Sequence, residues 1–289
     1  MINRLASMTW PEINEAVLQQ RVALIPAGTL EDHGLHLPID TDIVIADKIC
    51  QALADEMPND VVVLPPITFG FSPHHLDGPG TITLKWDTFI QSTHQVISSL
   101  FYHGFRKVLI INGHGSNEPV LDIASRQAIL SNPDSQSAMI SWWSLTKVQE
   151  AVKVFRESVW TGHACELETS LYLAINPSLV RTDLYEEDIN PFMSHHFWAD
   201  LVSDAPEGYV NPVRINEYWS TVSKTGTWGD PRTATAEKGN TIIQAAVSEL
   251  VDIVTEYKSR PIRPRNPKQS KEVISRNIAV HGPTPGFIH

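Results

Sequence analysis

Four short apolar runs, separated by stretches of helical periodicity, constrain this chain more than any other feature. The runs are residues 21–27 (RVALIPA), 61–69 (VVVLPPITF), 107–112 (KVLIIN) and 136–142 (QSAMISW). Their β-branched residues and flanking turn formers mark them as buried strands. Residues 41–57 place Ile45, Ile49, Ala52, Leu53 and Met57 along one helical stripe, and residues 86–101 and 118–130 behave the same way. Strand alternating with helix predicts an α/β fold, a mostly parallel central sheet covered on both faces. In such sheets ligands bind just beyond the carboxyl ends of the strands. The polar clusters of this chain all fall there.

The remaining organisation is simpler to state. Residues 183–213 are rich in Pro, His, Trp and acids without a period, and read as long loops or a lid. Residues 233–257 read as an amphipathic helix interrupted by Gly239. Residues 259–289 carry five prolines and several basic side chains, which suits an extended tail or subunit arm. No repeat or linker divides the rest, so residues 1–258 are expected to form a single domain. With 33 acidic against 22 basic side chains, the formal charge of -11 excludes general binding to nucleic acid or to anionic membranes. The two cysteines, Cys50 and Cys165, fit a reducing compartment. No window approaches a membrane span, and MINRLASMTWPEI lacks the apolar stretch of a secretory signal. A cytoplasmic protein is the expectation.

Three clusters carry the candidate chemistry. The first follows the first strand and contains Glu31, Asp32, His33, His36, Asp40 and Asp42. In an extended segment Glu31 and His33 share a face, with Asp32 turned away. Carboxylates and imidazoles together suit Zn²⁺ or Mn²⁺, against the plainer reading of a polar loop that caps a helix at Asp40 or Thr41. The second is Asn112-Gly-His114-Gly-Ser116-Asn117, a histidine between glycines directly after a strand. It does not match a dinucleotide-binding fingerprint. The third is His163-Ala-Cys165-Glu166-Leu-Glu168. His163 could pair with Glu166 on a helical face, or with Glu168 if it precedes the helix, and spacing leaves both open. Cys165 reads as a buried thiol rather than a nucleophile based on His163. His74 and His75 read as loop residues. Of the tryptophans Trp142, Trp143, Trp160, Trp198, Trp219 and Trp228, most read as core or interface, with some free to wall a small-molecule site.

Together the clusters resemble the creatininase family of amidohydrolases. The matching segments are Pro26-Ala-Gly28-Thr29-Leu-Glu31-Asp-His33-Gly34-Leu-His36-Leu37-Pro38 with Asp42, then Asn112-Gly-His114-Gly115, then His163-Ala164 with Glu168-Thr169-Ser170. The late Gly229-Asp230-Pro231 and Ala236-Glu237-Lys238-Gly239 match as well, so the likeness spans about residues 5–257. It implies a three-layer α/β/α sandwich and two divalent metal ions per chain, Zn²⁺ foremost, with Mn²⁺ and Fe²⁺ compatible. Asp42 would bridge them. Glu31 and His114 would complete one site and His33 and Glu168 the other, which favours Glu168 over Glu166. His163 would transfer protons, and Ser72 would be a substrate contact. A small-molecule substrate and a homo-oligomer, a hexamer in many members, are further implications.

The expected activity is hydrolysis of a non-peptide C–N bond in a small cyclic amide or formamide. A metal-holding binding protein without turnover, and a lactone-type C–O hydrolase on the same site, are the alternatives. True creatininases follow the strand-end histidine with tyrosine and glutamate. Here Gly115 and Ser116 stand in those places, which argues against creatinine as substrate.

Overall fold

The computed structural model describes residues 3–190, 192–202, 213–266 and 268. In chain order its elements are α1 (Trp10–Leu18), β1 (Val22–Ala27), α2 (Thr41–Glu56), β2 (Val61–Val63), α3 (Trp86–Tyr102), β3 (Lys107–Asn112) and α4 (Asn117–Ser131). There follow β4 (Gln136–Ser141), α5 (Thr146–Phe155), β5 (Thr161–His163), α6 (Glu166–Ile175), α7 (Trp219–Val222), β6 (Trp228–Gly229) and α8 (Ala236–Ser259). The central sheet has the order β2-β1-β3-β4, and every pair is parallel.

The three layers follow from the alternation of side chains along buried strands. Val22 and Leu24 of β1 and Leu109 and Ile111 of β3 face a core shared with α2, α5, α6 and α8. Ala23, Ile25 and Ala27 of β1, with Val108 and Ile110 of β3, face the opposite core, built with α1, α3 and α4. Each fully buried Ile or Leu on these faces contributes about 1.5–3 kcal/mol. Lys107, at the start of β3, donates to the carbonyls of Tyr257, Lys258 and Arg260 at 2.6–2.8 Å. It thereby satisfies carbonyls that the end of α8 leaves open.

The structure departs from the sequence reading in a few places. The second strand stops at Val63 because Pro65 and Pro66 cannot donate to a ladder. The chain stays extended far enough for one bridge between Ala27 and Ile67. Helix α1 was not expected, although its start carries a legible signal: the amide and hydroxyl of Thr9 both donate to Glu12, at 2.7 and 2.6 Å. Trp228–Gly229 form β6, which pairs antiparallel with β5 and was not among the expected strands. Residues 183–190 and 192–202 are irregular apart from a short turn at Thr182–Leu184 and a bridge from Asp188 to Gly229. Residues 191 and 203–212 of the expected lid and most of the expected tail over 259–289 lie outside the described residues. No described helix is long and apolar enough to cross a membrane.

Candidate metal centre

The cluster forms where the first and third strands end. The chain leaving β1 carries Glu31 and His33, the turn after β3 carries His114, and the first turn of α2 carries Asp42. Two glycines permit the start of α2 to dock against both strand ends. A Cβ at Gly28 would sit 2.6 Å from the Ile43 amide nitrogen, and one at Gly113 would sit 2.5 Å from the Asp42 carbonyl oxygen. The helix N-terminus also favours a carboxylate at Asp42. From the other side, β5 delivers His163 and α6 delivers Glu168. Between them Ala164 adopts a left-handed φ of 47°, unusual for a residue with a side chain. Its amide donates to Glu168 Oε2 at 2.5 Å. This bend puts His163 ahead of the helix rather than on it.

The five expected ligands converge as two triads that share Asp42: Glu31, Asp42 and His114, and His33, Asp42 and Glu168. Within each triad the potential ligand atoms lie within 4.8 Å of one another. His114 Nδ1 is 3.1 Å from Glu31 Oε1 and 3.3 Å from Asp42 Oδ2. His33 Nε2 is 3.1 Å from Asp42 Oδ1 and 3.9 Å from Glu168 Oε1. All five side chains are buried. The second ring nitrogen of each imidazole faces a backbone carbonyl: His114 Nε2 lies 3.2 Å from Phe71 O, and His33 Nδ1 lies 3.3 Å from Glu31 O. A carbonyl only accepts, so those nitrogens carry hydrogens, and in the neutral ring the inward nitrogen is the one that holds the lone pair a metal ligand requires.

The electrostatics point the same way. Burial opposes ionisation of Glu31, yet His114, His75 and His163 together hold its carboxyl well below the usual range. Burial also opposes protonation of His33, but Asp42, Glu168 and Glu31 push its imidazole up to about 10. Burial, with Asp42 beside it, raises Glu168 to about 7 against the pull of His33. Three buried carboxylates thus face two imidazoles with no Lys or Arg among them. Glu31 Oε1, His33 Nε2 and Asp42 Oδ2 have no hydrogen-bond partner although fully enclosed. Buried polar atoms without partners are costly. A pair of divalent cations, with hard oxygen and imidazole donors, fits this donor set.

The neighbours divide clearly. Glu166, the other glutamate of α6, is turned away and accepts from the amides of Glu157 and Ser158 and from Lys238 Nζ at 2.6 Å. Cys165 is fully buried and its thiol is pushed up to about 12, chiefly by burial and then by Glu168. A thiol held protonated is a poor nucleophile. Ser72 is buried and donates its hydroxyl to Glu31 Oε2. His163 Nδ1 lies 3.7 Å from Glu31 Oε1, while Nε2 faces the Asp32 carbonyl at 2.6 Å. Burial, then His33 and His75, hold its imidazole well below the ordinary value.

Sequence reasoning missed His75, which is buried beside the cluster. Its ring lies 4.7 Å from that of His163 and stacks 4.7 Å from Trp219, the tryptophan that walls the site. No spacing signal marks it, because a loop after the second strand folds it in. His74, next to it, is partly exposed and lies 3.3 Å from the Ser116 hydroxyl.

The fold and cluster together define a three-layer α/β protein with a buried acid–imidazole site at its strand ends. The creatininase family pattern, described as creatinine amidohydrolase, matches residues 6–254. The chain belongs to the creatininase family and is a hydrolase of that family. Among similar proteins, the creatinine amidohydrolase of Pseudomonas putida is 26% identical over 86% of this chain and 95% of its own. The mycofactocin precursor peptide peptidase of Mycobacterium ulcerans (strain Agy99) is 30% identical over 88% of each chain. A crystal structure of creatinine amidohydrolase superposes with a TM-score of 0.76 at 23% identity, covering 90% of this chain and 99% of that one. Solved creatininases of the same fold include a Zn–Zn type and a manganese form.

Proposed function

We propose that this protein is a metal-dependent amidohydrolase that cleaves the C–N bond of a small amide or formamide. Two divalent ions would be held by Glu31, Asp42 and His114 on one side and by His33, Asp42 and Glu168 on the other. The observation that supports this reading is the buried convergence of three carboxylates and two imidazoles, with Glu31 Oε1, His33 Nε2 and Asp42 Oδ2 unpartnered and no Lys or Arg among them. Ions in that position would supply a water of lowered pKa and would polarise the substrate carbonyl.

The chain's own residues do the rest. Ser72 donates its hydroxyl to Glu31 and so orients a ligand, beside the substrate-contact role expected of it. His163 presents an unprotonated Nδ1 towards the cluster and accepts a proton there, then returns it to the departing nitrogen, which is a poor leaving group until protonated. The Trp219 ring packs against that imidazole, 4.9 Å away, and limits water around it.

Substrate size is set partly at Gly115. A Cβ there would meet nothing within 4 Å, and Ser116 is engaged with His74. The resemblance puts a tyrosine at this position in true creatininases, and the open space beside Gly115 favours an amide of a different outline from creatinine. The test is turnover against cyclic amides, lactams, lactones, formamides and short peptide amides, with metal content measured on the same preparation. Activity on an amide that is lost to a chelator, restored by Zn²⁺ or Mn²⁺ and indifferent to thiol alkylation supports the proposal. Full activity in chelator refutes it.

A further inference from the structure

The segment that carries His33 runs on through residues 36–40 to the start of α2, and it is tied to α6 at two points. His36 Nε2 lies 2.9 Å from the Thr169 hydroxyl, and the Tyr172 hydroxyl donates to Asp40 Oδ1 at 2.9 Å. Thr169 and Tyr172, three apart in sequence, share one face of the helix. Around the ties Leu37, Ala164, Tyr172 and Val180 form a small apolar cluster, separate from the two main cores. His36 and Thr169 are both buried. His36 is held in turn, since its carbonyl accepts from the Arg181 amide at 2.9 Å and its ring packs edge-on against Tyr185.

These ties lead to one metal position and not to the other. The Thr169 hydroxyl also donates to the Ala164 carbonyl at 3.4 Å, and the Ala164 amide donates to Glu168 Oε2 at 2.5 Å. Thr169 therefore braces the left-handed bend that aims Glu168. At the opposite end a tight turn joins His36 to His33, with the Leu37 amide donating to the His33 carbonyl at 3.3 Å. Asp40 is the N-cap of α2, two residues before Asp42. The triad of His33, Asp42 and Glu168 is thus braced from both sides. Glu31 and His114 have other supports: the Ser72 hydroxyl, the Phe71 carbonyl, and the Asn112 side-chain amide, which donates to the His114 carbonyl at 2.7 Å. None of these comes from α6 or from residues 36–40. Both helices are also seated independently of the ties. The start of α2 docks on the strand ends at Gly28 and Gly113, and α6 lies so close to α8 that a Cβ at Gly239 would fall 1.9 Å from the Ser170 carbonyl oxygen. Losing the ties would leave both helices in place and free only the fine spacing between them.

We propose that the pairs His36–Thr169 and Asp40–Tyr172 form a clamp of positioning residues that sets the affinity of the metal position at His33, Asp42 and Glu168, and of that position alone. The inference rests on the two-metal reading and deepens it. Metal–ligand distances tolerate only about 0.2 Å, so a clamp that touches no ion still governs binding. Residues that brace ligands from behind typically account for about 10–100-fold in metal affinity.

The test titrates Mn²⁺ into the metal-free full chain and follows bound ions by electron paramagnetic resonance, in which a neighbouring pair gives a spin-coupled spectrum and a lone ion does not. Thr169→Val keeps the shape of the side chain and removes its hydroxyl. It should weaken one of the two binding steps about 10–100-fold, leave the other step unchanged, and delay the coupled spectrum to higher Mn²⁺. Thr169→Ser restores the hydroxyl and should restore both steps. Tyr172→Phe removes one oxygen from the second tie and should weaken the same step, which keeps the test decisive if Thr169→Val does not fold. In Glu168→Gln, where only the position at Glu31, Asp42 and His114 remains complete, adding Thr169→Val should change nothing further. Unaltered binding in both Thr169→Val and Tyr172→Phe, equal weakening of both steps, or failure of Thr169→Ser to restore the weakened one overturns the clamp and leaves the metal reading standing. An unsubstituted protein that binds neither two Mn²⁺ nor two Zn²⁺ per chain overturns the metal reading, and the clamp with it.

Discussion

Glu166 and Glu168 stand two residues apart at the start of α6, both buried and both favoured there by the helix dipole. Their surroundings are opposite. Glu166 meets two backbone amides and the Lys238 ammonium, which also holds Glu157 at 2.6 Å and the Thr233 carbonyl at 2.7 Å. Glu168 meets one amide, the Asp42 carboxylate and the His33 ring. A buried charge satisfied by the protein's own donors holds the fold together. A buried charge set against another of the same sign stores a debt that only an added cation removes. The same residue type, on the same helix turn, is thus structural on one face and a candidate ligand on the other.

Substitutions can break this contrast. The largest effect is expected at Asp42, the carboxylate common to both triads. Asp42→Asn should release both ions and lower turnover roughly 10³-fold or more, read as metal per chain and kcat/KM on whichever amide is turned over. Retention of two ions would remove the bridging role. Next, Glu166→Ala should cost about 3 kcal/mol of stability by leaving the Glu157 and Ser158 amides without their acceptor and taking the buried carboxylate from Lys238, measured by urea denaturation. The folded fraction should still bind two ions per chain, and a loss of metal there would erase the distinction between the two glutamates.

Glu168→Gln should do the reverse, losing one ion of the two while leaving the metal-free protein at least as stable. The pH dependence sharpens this point. Glu168 sits at about 7 in the metal-free fold, above its ordinary 4.5, so the folded state binds the proton more tightly than the unfolded one. Its contribution is complete below the ordinary value and is lost as pH rises through about 7. Metal-free protein should therefore lose stability between roughly pH 5 and 7, and Glu168→Gln should lack that part of the fall. Identical denaturation curves across this window would contradict the repulsion. The smallest effect is expected at the bend between His163 and Glu168. Ala164→Gly should raise stability by about 0.5 kcal/mol, as relief of the left-handed strain outweighs the added chain entropy, and thermal melts would register it.

Much of the architecture was legible before any coordinates. The strands at 107–112 and 136–141 and the helices over 41–56, 86–102 and 236–259 follow the runs and stripes expected of them to within a few residues. Buried parallel strands and amphipathic helices write their periods into consecutive residues. Elements whose formation depends on distant partners were not legible. The pair β5 and β6 has three and two residues, too few for a pattern, and exists because each supplies the other's hydrogen bonds.

The same division runs through the site. Composition, order and spacing along the chain determined the donor chemistry, because carboxylates and imidazoles crowded after apolar strands have few other uses, and the family motifs assigned Glu31, His33, Asp42, His114 and Glu168 as a group. Only the tertiary structure decided which way each side chain faces. Glu166 turns outward because Lys238, 72 residues later, waits for it. His75 enters the site because the loop after β2 folds over Asp32, 43 residues earlier. A side chain's identity is local information, but its partners are set by packing across the chain, and at a buried site the partners decide the chemistry.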